Sequence, residues 1–349
     1  MKTADSPALS VIIPTYNRLP YLKEALASFL NQLTCSYEVL IMDDGSTDGT
    51  AEYIAALPPP VRAYISPHQG VQAARNLAMQ HAQGRYLKFL DDDDVLEPAA
   101  VDAQVDYLDQ HPDIGLAYAD WGFLARTAQG IDRRWFYTMH QISDPIAYLT
   151  MDWWCPPFVY LFRRTCLEGL TWDTSFRVLT DFVFVAEVAL NGTQFGYVPT
   201  TPLPLGWYRA IVPRSQRLST RASNVERAQH ETIILNRIRD RLRQANALTE
   251  PRIDALAARY FKIARRVFPD DQALFRQLVQ ESLALKPTFK AEGRRYQQII
   301  RWFGYAAAER ARRFSLRVRA QLKTRRVQPP ITTDIIQIKS DGPTVIPKY

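Results

Sequence analysis

Within the first 120 residues, short apolar runs alternate with segments of helical periodicity, and three of the runs end at polar or acidic turns. Residues 9–14 read as a buried strand, and Leu22, Leu26, Phe29 and Leu30 then recur at helical spacing. Residues 38–42 form a second strand, 50–57 a helix and 61–66 a third strand. A helix over 72–83, with Gly84 at its C-cap, leads to a fourth strand over 85–90. Pro98 suits the first turn of the next helix, whose Val101, Val105 and Leu108 face inward, and 114–119 make a fifth strand. Strands separated by helices cannot pair as hairpins. They predict an α/β fold, Rossmann-like, with a mostly parallel sheet covered on both faces.

An open parallel sheet binds ligands beyond the carboxyl ends of its strands. There the first strand is followed by Pro14, Thr15, Tyr16 and Asn17, the second by Asp43-Asp44-Gly45-Ser46-Thr47-Asp48-Gly49, and the fourth by Asp91-Asp92-Asp93-Asp94. Carboxylates converging on one edge raise one another's pKa unless a cation stands among them. A hard divalent ion with oxygen ligands, Mg²⁺ or Mn²⁺, fits the four-aspartate run and can bridge it to a diphosphate. The competing reading is an acidic surface turn. The turn from Asp43 is not a calcium loop of the EF-hand kind, because Ala55 stands where the final Glu is required and a strand leads in. A carboxylate there either accepts hydrogen bonds from a base or ribose, or caps its own turn through Gly45 and Ser46.

The run Ser10-Val11-Ile12-Ile13-Pro14-Thr15-Tyr16-Asn17, the run Asp43 to Asp48, Gly70 with Ala74-Arg75-Asn76, and Gly84-Arg85-Tyr86-Leu87 leading to Asp91–Asp94 together resemble the family 2 glycosyltransferases, over residues 9 to about 120. The resemblance implies an A-type glycosyltransferase fold, a nucleotide-sugar donor, commonly UDP-linked, and inversion at the anomeric carbon. It implies that Asp43 contacts uracil and that Pro14, Thr15 and Tyr16 line the base pocket. Arg75, Asp91 and Asp92 are implied nucleotide contacts. Asp91 and Asp93 match the two acids of the Asp-x-Asp element, Asp93 being the direct metal ligand. A second stretch runs from Pro156 through Phe162-Arg163-Arg164 to Asp181. Family members carry a Glu-Asp pair opening a helix here, and this chain has Thr180-Asp181. Asp181 is the implied catalytic base, with a helix N-cap as its alternative role and Asp173 in reserve. Trp207-Tyr208-Arg209 resembles a family Tyr-Arg element, but Ile211 stands where a histidine often follows.

The net charge of +7 is unevenly spread: residues 206–327 carry 28 Lys+Arg against 10 Asp+Glu, and the remainder is acidic. The expected division is a catalytic domain over 1–220, with 1–120 nucleotide-binding and 121–220 on the acceptor side. A basic helical region over 221–327 and an extended tail over 328–349 follow. Trp153, Trp154, Pro156 and Pro157 suit a site wall. Arginines clustered over 288–320 beside Tyr296, Ile299, Ile300 and Phe303 suit an anionic membrane surface presenting a lipid-linked or glycan acceptor. Nucleic acid is not the expected partner, because the basic half has no aromatic stacking motif or zinc finger. Cys35, Cys155 and Cys166 make no disulfide framework or zinc pattern, and no apolar run reaches membrane-span length. A cytoplasmic location, peripheral at the inner face of the plasma membrane, is the expectation. Two other functions compete. A nucleotidyltransferase calls for a glycine-rich, lysine-bearing loop after the first strand, and residues 14–18 hold neither Gly nor Lys. A non-catalytic nucleotide-sugar or glycan-binding module would need no base.

Overall fold

The computed structural model describes residues 6–127, 130–151, 155–200, 203–209, 222–291 and 293–324. Trp153, Trp154, the side chain of Phe303 and the tail lie outside the described residues. In chain order the first elements are β1 (Leu9–Thr15), α1 (Leu19–Phe29), β2 (Tyr37–Asp43), α2 (Thr50–Ala55), β3 (Val61–Ile65), α3 (Val71–His81) and β4 (Tyr86–Phe89). There follow β5 (Val95–Leu96), α4 (Pro98–Gln110), β6 (Ile114–Ala119), β7 (Trp121–Thr127), β8 (Gly130–Tyr137), α5 (Pro145–Met151) and β9 (Tyr160–Arg163). The rest are α6 (Thr180–Leu190), β10 (Gln194–Val198), β11 (Gly206–Arg209), α7 (Asn224–Gln244), α8 (Glu250–Val267), α9 (Gln272–Leu285) and α10 (Arg294–Thr324).

Seven strands form the main sheet in the order β10-β6-β9-β4-β1-β2-β3. All its pairings are parallel except those of β9, which runs antiparallel to both β4 and β6. β1 is buried at every position, as a central strand covered on both faces must be. The helix expected over 72–83 ends earlier, with Ala82 at its C-cap in an extended conformation. Gly84 instead permits a close backbone approach. A Cβ there would lie 2.5 Å from the Ser10 backbone nitrogen, so only glycine lets the chain enter β4 hard against β1. Within the main sheet, Lys88 on β4 is fully buried, and its Nζ donates to Gln104 Oε1 at 2.7 Å and to the Phe158 carbonyl at 2.8 Å. Burial pushes its pKa well down, and these acceptors tie β4 to α4.

A second, four-stranded sheet in the order β5-β11-β7-β8 takes β7, β8 and β11 from the stretch 121–220 expected on the acceptor side. Trp207 and Gly206 of β11 pair with Val95 and Leu96 of β5, directly after the aspartate run.

The compact unit Met1–Phe289 includes α7, α8 and α9, so the expected boundary at 220/221 does not separate compact units. The buried stripe Ile234, Leu235, Ile238 of α7 and the stripe Leu256, Tyr260, Ile263 and Val267 of α8 join the core. Arg237 and Arg241 of α7 reach Glu187 of α6 at 3.2 and 2.6 Å, and Arg252 of α8 reaches Asp144 at 2.8 Å. Much of the basic charge in this stretch is thus engaged in internal ion pairs. Lys290–Tyr349 forms a second unit, whose helix α10 breaks its helical dihedrals at Gly304, φ 78°.

Candidate active site

The carboxyl ends of β1, β2 and β4 do converge. Thr15 and Asp43 are register partners at the ends of β1 and β2. Asp43 is fully buried, and its carboxylate accepts from the Ser46 backbone N–H at 3.2 Å and from the Ser46 hydroxyl. The expected uracil contact therefore closes its own turn. Asp44, one residue on, accepts from the backbone N–H groups of Gln69 and Gly70 at 2.7 and 2.9 Å, which fixes the loop before α3. His68 Nδ1 lies 2.8 Å from Asp44 Oδ2, and the His68 ring stacks on Tyr16 with centroids 4.3 Å apart. Tyr16 is 43% exposed, Pro14 and Thr15 are buried, and the Thr15 hydroxyl donates to Asp92 Oδ2 at 2.8 Å.

Asp91, Asp93 and Asp94 each bring a carboxylate oxygen within 4.8 Å of the other two. The residues fit a hard divalent cation: the donors are all carboxylate oxygens, and Asp94 Oδ2 is buried with no hydrogen-bond partner. Burial, followed by the charges of Asp93 and Asp91, pushes the Asp94 carboxyl well up. Its Oδ1 accepts from the Arg209 backbone N–H at 2.8 Å. Asp92 turns away from the cluster. It is held by Thr15 and by Arg18, whose Nη1 lies 3.1 Å from Asp92 Oδ1 and 2.9 Å from Asp93 Oδ2. Burial drives the Asp92 carboxyl up to about 7 against the opposing Arg18 charge.

Arg75, the expected nucleotide contact, lies on α3, is 2% exposed and links two acids. Its Nη2 meets Asp91 Oδ1 at 2.6 Å, its Nη1 meets Asp181 Oδ1 at 3.0 Å, and its guanidinium carbon lies 4.1 Å from the Trp172 ring centroid. Trp172 is fixed in turn by Asn76, which exchanges two hydrogen bonds with its backbone at 2.7 and 2.9 Å, and by Phe184 stacked at 4.2 Å. Asp181 is not an N-cap. The cap position of α6 is Leu179, in the left-handed region at φ 64°, and Asp181 stands in the first turn. Burial raises the Asp181 carboxyl to about 6, while Arg75 pulls it down. Asp173 is engaged by Ser175 and Arg237 and stands outside this constellation. Arg209, of the Tyr-Arg element, is 2% exposed at its side chain and is held by Glu24 at 2.5 Å, the Asp93 carbonyl at 2.6 Å and the Tyr21 ring.

Sequence reasoning missed Asp94, Arg18, Asp44, His68 and Trp172. Asp94 was within the run itself, and Arg18 was legible as a cation at the end of the strand beside an aspartate run. Nothing local marks Trp172, which reaches the site only through long-range packing.

Residues 10–154 match the family model Glycosyl transferase family 2. This segment belongs to glycosyl transferase family 2. Among similar proteins, a chondroitin synthase of Pasteurella multocida (strain Pm70) is 43% identical over 99 residues, covering 28% of this chain and 10% of that protein. An uncharacterized glycosyltransferase of Haemophilus influenzae is 37% identical over 109 residues, covering 30% of this chain and 44% of its own length. The chain thus spans less than half of either curated relative. The crystal structure of S. aureus TarS 1-349 in complex with UDP-GlcNAc superposes with a TM-score of 0.60 at 16% identity, over 88% of this chain and 92% of that one. The family 2 segment thus sits in a fold of the A-type glycosyltransferase kind, extended here by C-terminal helices.

Proposed function

We propose that this chain is an inverting, metal-dependent glycosyltransferase that moves a sugar from a UDP-linked donor to an acceptor hydroxyl. The observation that carries the reading is the Asp91–Arg75–Asp181 bridge. On one side of a single buried guanidinium stands an oxygen-only cation cluster, and on the other a carboxylate of pKa about 6. Such a carboxylate is ionised at neutral pH and still basic enough to take a proton. Mg²⁺ or Mn²⁺ held by Asp91, Asp93 and Asp94 would neutralise charge on a departing diphosphate.

The chain's own residues do the rest. Asp181 accepts the proton of the acceptor hydroxyl as the acceptor oxygen bonds to the anomeric carbon. The bond from that carbon to the phosphate oxygen breaks, and its electron pair leaves with the nucleoside diphosphate. Attack opposite the leaving group inverts the anomeric centre. Tyr16, backed by His68, offers the base an exposed stacking face. The UDP-GlcNAc bound by TarS supports a uridine donor, and the chondroitin synthase likeness supports a glycan acceptor.

The C-terminal unit supports a peripheral location at the inner face of the plasma membrane, where a lipid-linked acceptor would be presented. On α10, Phe314 and Leu316 are 70% and 48% exposed beside Arg310 and Arg313, the pairing an interfacial helix uses on anionic lipid. Among the described residues no helix is long and apolar enough to cross a membrane.

Release of UDP from a panel of UDP-sugars, with and without Mn²⁺, tests the function. Metal-dependent release supports transfer chemistry. Donor binding with no turnover against any glycan acceptor would favour the non-catalytic binding module.

A further inference from the structure

Among the described residues, three arginines serve the aspartate run, and they are not equivalent. Arg75 and Arg209 are each 2% exposed at their side chains and are locked from several sides, Arg75 by Asp181 and the Trp172 ring, Arg209 by Glu24 and the Tyr21 ring. Arg18 is 21% exposed and opens α1 directly beyond the end of β1. Its Nη1 divides itself between two carboxylates of different character. Asp92 is a fixed anchor, 4% exposed and pinned by the Thr15 hydroxyl at 2.8 Å. Asp93 belongs to the three-carboxylate cluster that fits a divalent cation. The Arg18 guanidinium and a cation therefore draw on the same Asp93 charge.

Resting on the nucleotide-sugar reading, we propose that Arg18 is a diphosphate-binding residue that first serves as the counter-cation of Asp93 and passes to a donor phosphate when a divalent cation takes Asp93. The guanidinium suits both posts, because its fork of N–H groups matches carboxylate and phosphate oxygens equally well. Asp92 keeps the side chain at the site during the exchange, so the movement is a local turn about a fixed anchor. The arrangement also sets an order of events. A cation arriving alone must displace or repel a resident positive charge, and like-charge repulsion opposes that. A cation arriving with a diphosphate meets a guanidinium that gains a new partner. The site thus favours the metal–nucleotide pair over the bare metal.

Binding of Mn²⁺ alone and of UDP with saturating Mn²⁺, measured calorimetrically at pH 8 on the full chain, tests this directly. The comparison uses wild type, Arg18→Gln and Arg18→Lys, each checked for an unchanged melting profile. Arg18→Gln is expected to bind Mn²⁺ alone about tenfold more tightly and UDP with Mn²⁺ about tenfold more weakly. Arg18→Lys, which keeps the charge on a shorter reach, is expected to leave Mn²⁺ affinity near that of wild type and to recover part of the UDP affinity. Unchanged Mn²⁺ affinity in Arg18→Gln means that the ion pairs are structural only and overturns the proposal. So does tighter Mn²⁺ binding with undiminished UDP affinity, which removes the phosphate role. If wild type binds Mn²⁺ but no UDP, the nucleotide-sugar reading falls with the phosphate role, while the Mn²⁺ arm still decides whether Arg18 competes with the cation.

Discussion

Replacing Arg75 by Met removes the cation that holds two acids together while keeping most of the side chain's length and volume. In the wild type its guanidinium is 2% exposed, with carboxylate partners at 2.6 and 3.0 Å and the Trp172 ring centroid at 4.1 Å. Removing one partner of a buried ion pair costs about 3–5 kcal/mol, because the remaining charge is stranded. At about 2 °C per kcal/mol for a protein of this size, the melting temperature should fall by roughly 6–10 °C. The deficit should depend on pH in a defined direction. The folded pKa of Asp181, about 6, lies above that of an aspartate in the unfolded chain, so its ionisation costs stability as pH rises from the unfolded value through the folded one. Arg75 limits that cost. Without it the cost grows at pH 8, where Asp181 must either ionise without a partner or hold a proton against the solvent. It shrinks at pH 5, where the carboxyl is protonated in any case. Thermal melts of wild type and Arg75→Met at pH 5 and pH 8 measure this. An equal deficit at both values would refute the charge argument and assign the loss to packing against Trp172.

Asp93→Asn is expected to abolish the Mn²⁺ enhancement of UDP binding in thermal-shift assays without lowering the melting temperature of the ligand-free protein, because one charge leaves a crowded run; unchanged Mn²⁺ dependence would remove Asp93 from the cation site. Asp181→Asn should lower turnover by about 10²–10⁴-fold while donor still binds, the range for loss of a general base, and near-normal turnover would transfer the role to another acid. In the wild type, turnover should fall as pH drops through about 6 and Asp181 takes up its proton, which a pH–rate profile records. The full chain should sediment with anionic vesicles, less so at high salt, and not at all when truncated before Thr288; protein left in the supernatant at low salt would refute the membrane reading.

The nucleotide half of the fold was legible because its signals are local. Leu22, Leu26 and Phe29 mark the buried face of α1, and the strand β1 is a short, largely apolar run followed by polar residues. The second sheet was not legible, since its strands are defined by partners far away in sequence, such as Trp207 against Val95. β9 has four residues, and its antiparallel direction follows only from where the chain re-enters the sheet. In the site, charge type was readable and allegiance was not. The four aspartates could be seen to need cations, but Asp92 turning to Thr15 and Arg18, with Asp94 taking its place in the cluster, depends on which side of the turn each carboxylate faces. Asp43 and Arg75 carry the family's pattern and are occupied here by Ser46 and by two acids.

The antiparallel strand β9 lies beside β6, with Tyr118 opposite Tyr160 and Leu116 opposite Phe162. The chain therefore leaves the main sheet after Ala119 and returns to it at Tyr160, at neighbouring points on adjacent strands. Whatever lies between them is a detour with both ends stapled to the same scaffold. A detour of that kind can lengthen, shorten or change its chemistry without disturbing the register of β4, β1 and β2, where the aspartates and Thr15 are placed. On the proposed glycosyltransferase reading, a chimera carrying a relative's residues between those two staples, 120–159, is expected to keep its donor and change its acceptor, which release of UDP against a panel of acceptors would record.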